Sequence, residues 1–316
     1  MSRWLLILAV ITACGPKLEG GVDAGGGSID DQLDGGSTGV HLSPPFAPAD
    51  LGAQVTQLST GVMADRAPST PGDDAINDYV AGRFTSAGLT VTREAFPDAS
   101  GHVTANIIGV RPGLDPTDVI VVGAHHDTLP GLPGANDNAS GVVALLAIAD
   151  SLQARQLQRT VIFVSFGAEE DPGLAEGATY FLHDPANPTA HVVFMVNLSM
   201  VGTYTQQSVV YALGAMVSDT AYNLLEPMAD DSDLTWDLGY NDSGSDQVAF
   251  CDANIPYTYL WTPDDDCDHD ACDTADRIDT QELGEIALFT SDFVGQLANT
   301  TADLAAERQE HGCHDQ

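Results

Sequence analysis

Positive charge is what this sequence most lacks. Its 316 residues carry 10 Lys+Arg against 46 Asp+Glu, a formal net charge of −36 at pH 7. Lys17 is the single lysine. Proteins that bind nucleic acid neutralise phosphates with Lys and Arg and release counterions, so this balance excludes nucleic acid as a partner. An anionic membrane surface is an equally poor partner. The apolar run at the amino end, Trp4–Val10, is far short of the ~20 residues a membrane-spanning helix needs. The whole chain is 43% hydrophobic with a mean hydropathy of −0.03, enough to bury a sizeable interior. The acidity itself reads as solubility through self-repulsion.

The amino end reads as an address. Arg3 precedes the short apolar run, as in a signal peptide. Ile11-Thr12-Ala13-Cys14 resembles a bacterial lipobox, in which Cys14 is lipidated and becomes the first mature residue. Residues 1–13 are then the signal peptide. Residues 14–46, rich in Gly, Ser, Asp and Pro, form a flexible tether that cannot bury enough surface to order itself. Gly15 rather than Asp after Cys14 points to the outer membrane. The expectation is an exported protein, held in the cell envelope through Cys14 alone. Cys251, Cys267, Cys272 and Cys313 remain. Four cysteines in an exported chain suggest two disulfides in one of three connectivities. Cys267 and Cys272 flank His269 closely enough for a small bridged loop. Free thiols and a Cys–His–Cys metal cluster are the competing readings, and an oxidising compartment disfavours the cluster.

From about Ala47 helices and strands alternate. A helix opens at Asp73-Asp74, acidic in its first turn as the helix dipole favours, and ends near Gly88. Strands follow near Thr90–Ala95 and Val103–Val110, then Asp118–Gly123 (DVIVVG) and Thr160–Phe166 (TVIFVSF). Unbroken Val/Ile/Phe runs are buried on both faces, as in a central sheet covered by helices. Ser140–Leu157 is the crossover helix between the two, and a helix at Leu174–Leu182 leads to a core strand at Val192–Leu198. A strand near Pro256–Trp261 and a helix near Thr280–Leu297 close the fold. The reading is one α/β domain over 47–305, a central mixed twisted sheet sandwiched between helix layers, with a tail over 306–316.

Sites in such sheets form at the carboxyl ends of strands, and the unusual polar residues stand there. DVIVVG runs into Ala124-His125-His126-Asp127-Thr128, and TVIFVSF into Gly167-Ala168-Glu169-Glu170-Asp171. Gly134-Ala135-Asn136-Asp137-Asn138-Ala139-Ser140-Gly141 opens the crossover helix. A lone His is usually a surface residue and a Glu pair usually a solvated helix face. Here the Glu pair follows an apolar strand, where adjacent charges need partners or a metal. His, Asp and Glu converging at sheet ends suit the N/O ligand chemistry of zinc.

GAHHDT, GANDNASG and FGAEE, in that order, resemble the bacterial leucyl-aminopeptidase family of zinc exopeptidases, whose relatives include the glutaminyl cyclases. The resemblance covers roughly residues 70–300. It extends to Asn197-Leu198-Ser199-Met200-Val201-Gly202, to Ser245-Asp246-Gln247, and to His269 four residues before Asp273. It implies that His125 ligates one zinc, that Asp137 bridges two, and that Glu170 and His269 complete the other. Asp127 matches the carboxylate that orients His125, and Glu169 matches the general base. Zinc brings the pKa of a bound water toward ~7, and a carboxylate within reach takes its proton.

The sequence departs from that family at two positions. Ser199 stands where the family has an Asp that ligates the same zinc as His125. Gln247 stands where many members have His. Asp242, Asp246 and Asp264–Asp266 are the residues that could substitute for the lost carboxylate. The expectation is one tightly bound zinc and a weakened second site. The activity implied is removal of residues from peptides with free amino termini. The alternatives are a one-zinc acyltransferase of the glutaminyl-cyclase kind and an enzyme-derived binding lipoprotein. The loops Thr128–Pro133 and Trp261–Cys267 are expected to build the substrate pocket.

Overall fold

The unbroken Val/Ile/Phe runs lie at the centre of the molecule because each of their faces meets a separate core. A computed structural model describes residues 47–170, 174–239, 244–263 and 266–310. Among them, eight strands form one sheet: β1 (Thr90–Pro97), β2 (Val103–Arg111), β3 (Asp115–His125), β4 (Arg159–Phe166), β5 (Val192–Leu198), β6 (Val210–Leu213), β7 (Trp236–Asp237) and β8 (Tyr257–Trp261). Their spatial order is β1-β2-β4-β3-β5-β8-β6-β7. The middle four, β4-β3-β5-β8, are parallel, and antiparallel strands flank them on both sides. Val122 of β3 sits between Phe163 of β4 and Val196 of β5.

Ile120, Val122, Ala124, Val161 and Phe163 face one core. Val119, Val121, Ile162, Val164 and Phe166, the alternate positions of the same strands, face the other. This is the two-sided burial that the continuous apolar patterns imply. The first core is covered by α1 (Pro48–Leu58), α2 (Pro71–Ser86), α3 (Gly141–Leu152), α6 (Asp219–Asp230) and α8 (Thr280–Asn299). The second is covered by α4 (Glu176–His183) and α7 (Gln247–Asp252), whose Phe181 and Phe250 stack on each other and meet Phe166 edge-on. A four-residue helix α5 (Tyr204–Gln207) and a last helix α9 (Leu304–Glu310) complete the described elements.

Helix α2 starts as its sequence suggests. The Thr70 hydroxyl accepts the Asp73 N–H, Pro71 occupies the first turn, and Asp73 and Asp74 face the dipole's positive end. α1, α5, α6, α7, α9, β6 and β7 are not among the elements expected from the sequence; α6 carries Pro227. The chain passes from β3 to β4 on one side and then to β5 on the other. The carboxyl end of β3 is therefore the switch point, where a crevice opens between connections that diverge.

The N-terminal leader, Cys14 and the tether lie outside the described residues. Asp242, Asp264, Asp265 and Cys313 do so as well.

Candidate metal centre

Three parallel strand ends and one loop bring the polar residues together. β3 ends in His125, which is 1% exposed. Its Nε2 lies 3.3 Å from Asp137 Oδ1 and 3.3 Å from Ser199 Oγ, just past the end of β5. Its Nδ1 lies 3.6 Å from Asp127 Oδ1. The next residue, His126, turns away, with Nδ1 2.9 Å from Ser165 Oγ. One histidine of the pair therefore faces the crevice and the other serves the interior.

Beyond β4 the backbone turns through Ala168, whose φ of 56° lies in the left-handed region. That irregular turn separates the directions of Glu169 and Glu170. Asp127, fully buried, accepts the Glu169 N–H and the Glu170 N–H, each at 3.0 Å. It thus fixes the segment carrying both glutamates as well as facing His125. Asp137 is fixed in a similar way. The Asp273 carboxylate accepts the N–H of Asn136 at 2.8 Å and of Asp137 at 3.0 Å. Neither backbone-holding role was readable in the sequence, although Asp273 stood out by its spacing from His269.

His269 arrives from a loop closed by the Cys267–Cys272 disulfide and has a φ of 52°. Its Nε2 lies 3.1 Å from Glu170 Oε2 and 3.2 Å from Asp137 Oδ2. Cys251 is also disulfide-bonded.

The charges are strongly coupled. Burial pushes the Glu169 carboxyl up to about 7; Asp127 and Asp137 add to the rise, and His125 opposes it. Burial and the neighbouring Asp137 push Glu170 up to about 10. Burial also works against ionised Asp137, but the facing imidazoles of His125 and His269 outweigh it and hold that carboxyl far below the usual range. Asp137, Glu170 and His269 each bring one ligand atom within 4.8 Å of the others. His125, Glu169 and Glu170 form a second such group. Carboxylates this close, in a buried place, hold protons to relieve their repulsion, and a divalent cation relieves it in the same way. With N and O donors only, the set fits zinc.

Asp246 belongs to neither group. It is fully buried, neither of its oxygens has a hydrogen-bond partner among the described residues, and burial holds its pKa well above the usual carboxylate range. Gln247 is tied to β5 instead, accepting from Asn197 Nδ2 at 2.9 Å. A cavity of about 300 Å³ opens beside the donors. Its apolar wall is Leu174, Met200, Leu213, Tyr259 and Trp261. Among the described residues of the two loops expected to form the pocket, only Trp261 contributes to this wall. Thr128, Leu129 and Leu132 instead line a small recess that also borders Asp137, Glu170 and His269.

A parallel-centred sheet with metal donors at its strand ends defines the class, and comparison with known proteins gives the family. The model of Peptidase family M28 matches residues 106–294, more than half of the chain and all of the donors above. The chain belongs to that family. It is 32% identical over 227 residues to leupeptin-inactivating enzyme 1 of Streptomyces exfoliatus, covering 70% of this chain and 50% of that protein. The chain thus spans about half the length of that relative, and less of the leucine aminopeptidase 2 proteins it also matches. The fold is that of a zinc aminopeptidase from Bacillus subtilis, with a TM-score of 0.72, 16% identity, and coverage of 83% of this chain and 98% of that one. It is shared with a glutaminyl cyclase from Bacteroides thetaiotaomicron, at TM-score 0.68 and 22% identity, covering 79% and 98% of the two chains.

Proposed function

We propose that this protein is a zinc aminopeptidase that hydrolyses the first peptide bond of peptides with a free amino terminus. The observation that carries the reading is the convergence of Asp137, Glu170 and His269 within 4.8 Å, with Glu169 alongside. Asp137, Glu170 and His269 would hold one zinc. When bound, it would polarise the scissile carbonyl and acidify a water molecule.

The chain's own residues supply the rest. Glu169, buried beside the donors, takes a proton at its oxygen and returns it to the leaving amine. Asp127 holds Glu169 and Glu170 through their backbone N–H groups. Leu213, Tyr259 and Trp261 offer an apolar surface to the first side chain and exclude water.

The proposed stoichiometry is one tight zinc. On the His125 side Asp137 is the carboxylate left for His125 to share, and Ser199 offers a neutral hydroxyl. Glu169 and Glu170, also within reach of His125, are taken up as the base and as a ligand of the first zinc, so this side falls short of the three protein ligands usual in catalytic zinc sites. The proposed location is the cell envelope, outer membrane side, through lipidated Cys14; this rests on the leader sequence.

A peptide panel with amino-terminal Leu or Gln, read by mass, tests the activity. Loss of a whole residue is expected. Loss of ammonia from the Gln peptides alone would replace hydrolysis by cyclisation.

A further inference from the structure

Arg66 lies in the loop before α2, outside every motif of the site, and is entirely buried. Buried guanidinium groups normally face a carboxylate. This one has no salt-bridge partner among the described residues and spends its donors on backbone carbonyls. Nε donates to His126 O at 2.7 Å, and Nη2 donates to Gly134 O at 2.8 Å. Nη1 donates to Pro133 O at 2.9 Å, Leu58 O at 2.6 Å and Met63 O at 3.1 Å. The Arg66 N–H donates to Thr128 Oγ1 at 3.1 Å.

The carbonyls are not a random set. His126 and Thr128 bracket Asp127, directly after His125. Pro133 and Gly134 lead into Asp137. Gly134 has a φ of 51°, and a Cβ there would stand 2.1 Å from Asp137 O and 2.8 Å from Arg66 Nη2, so the turn is folded tightly around this guanidinium. One planar fork therefore joins the segment that carries His125 and Asp127 to the segment that carries Asp137. The acids it faces across the intervening backbone are Asp137, Asp127, Asp273 and Glu170.

We propose that Arg66 is a positioning residue for the metal centre. It sets the spacing of the two ligand-bearing segments, and its fixed charge offsets their carboxylates before a cation arrives. The inference rests on the zinc-site reading above. Lysine cannot replace the fork, because its three donors diverge from one nitrogen and cannot reach both segments.

The test is zinc affinity by chelator competition, with melting curves recorded with and without zinc, on wild type, Arg66→Lys and Arg159→Lys. Arg159 is the comparison, a buried arginine that also binds carbonyls (Leu297, Thr300 and Ala302) far from the donors. Residues that orient metal ligands typically change affinity by ~10–100-fold. Arg66→Lys is expected to weaken zinc by at least ~10-fold and to shrink the zinc-induced rise in melting temperature. Arg159→Lys should lower both melting curves equally and leave zinc affinity intact.

A folded Arg66→Lys protein with wild-type zinc affinity would overturn the inference. If that variant does not fold, Arg66→Gln, which keeps two donors but neither the charge nor the fork, takes its place, and wild-type zinc affinity there overturns it too. A wild-type protein that binds no zinc would instead remove the zinc-site reading, and this inference with it.

Discussion

The two sides of the donor cluster are only a few ångströms apart and chemically unequal. On one side Asp137, Glu170 and His269 converge, with His269 Nε2 within 3.2 Å of both carboxylates. On the other, His125 meets Asp137 at 3.3 Å and finds a serine hydroxyl where a carboxylate would complete the set. His125 and Ser199 stand at strand ends, as the segment carrying Glu170 does, so what differs between the sides is donor chemistry. On the one-zinc reading proposed above, the outline of a two-metal site is kept while its residues support one.

The largest effect expected from that comparison lies at neither ligand set. Glu169→Gln removes a proton acceptor and no member of the Asp137–Glu170–His269 trio. Turnover should fall by ~10²–10⁴-fold with zinc content unchanged by metal analysis. A variant as active as the wild type would remove Glu169 from the mechanism.

The two histidines then break the sides apart. His269→Ala should strip the tight zinc, since two carboxylates remain from a set of three ligands. His125→Ala should leave that zinc in place. Equal zinc retention in the two variants, read by elemental analysis after dialysis, would mean that the sides are not unequal after all.

A third prediction uses the protons held in place of the cation. In the metal-free protein Glu169 is pushed up to about 7 and Glu170 to about 10, against an ordinary 4.5. Between those values the folded chain binds more protons than the unfolded chain, so the free energy of unfolding falls as pH rises. That contribution is complete below 4.5 and is lost as pH climbs through about 7 toward about 10. His269, also raised, acts in the same direction above its ordinary 6.5. The lowered Asp137 acts oppositely, but only below 3.8. Calorimetry of the chelated protein should therefore show a melting temperature that declines from about pH 5 to about pH 9, and a flatter profile with zinc. A rise over that range without zinc would refute the assignment of these protons.

What the sequence disclosed follows from how each feature is encoded. β3, β4 and β5 are continuous apolar runs because both faces are buried, and such runs are local signals. The donors were legible because they stand directly after those runs. The pocket wall was not. Met200 lies in the motif around Ser199 and Tyr259 in an expected strand, but neither they nor Leu213 are marked as wall residues, because the three segments meet only in the folded sheet. Arg66 was equally invisible, an isolated arginine whose partners are carbonyls, which every residue has. Asp127 was noticed for its proximity to His125, yet its bonds to the Glu169 and Glu170 N–H groups depend on the parallel register of β3 with β4.

Restoring the absent carboxylate sharpens the comparison most directly and should move the rate least. Ser199 is 3% exposed, with its Oγ 3.3 Å from His125 Nε2, so Ser199→Asp places an oxygen donor beside the ring nitrogen that needs a metal. The variant adds about one negative charge to a cluster already crowded with carboxylates, and without a second cation that charge raises the repulsion. Three consequences are tied together. The zinc-free variant should be less stable than zinc-free wild type. Titration should reveal a second zinc that wild type binds weakly or not at all. The second equivalent should restore more stability to the variant than to the wild type. Activity is expected to change modestly, since Glu169 and the Asp137–Glu170–His269 set are untouched. The rival account is that a nearby residue already completes the His125 side. Among the described residues Asp246 is a buried carboxylate that could do so, with neither of its oxygens hydrogen-bonded there. Two tightly bound zincs in wild type, unchanged in the variant, would decide for that rival and make the two sides equal.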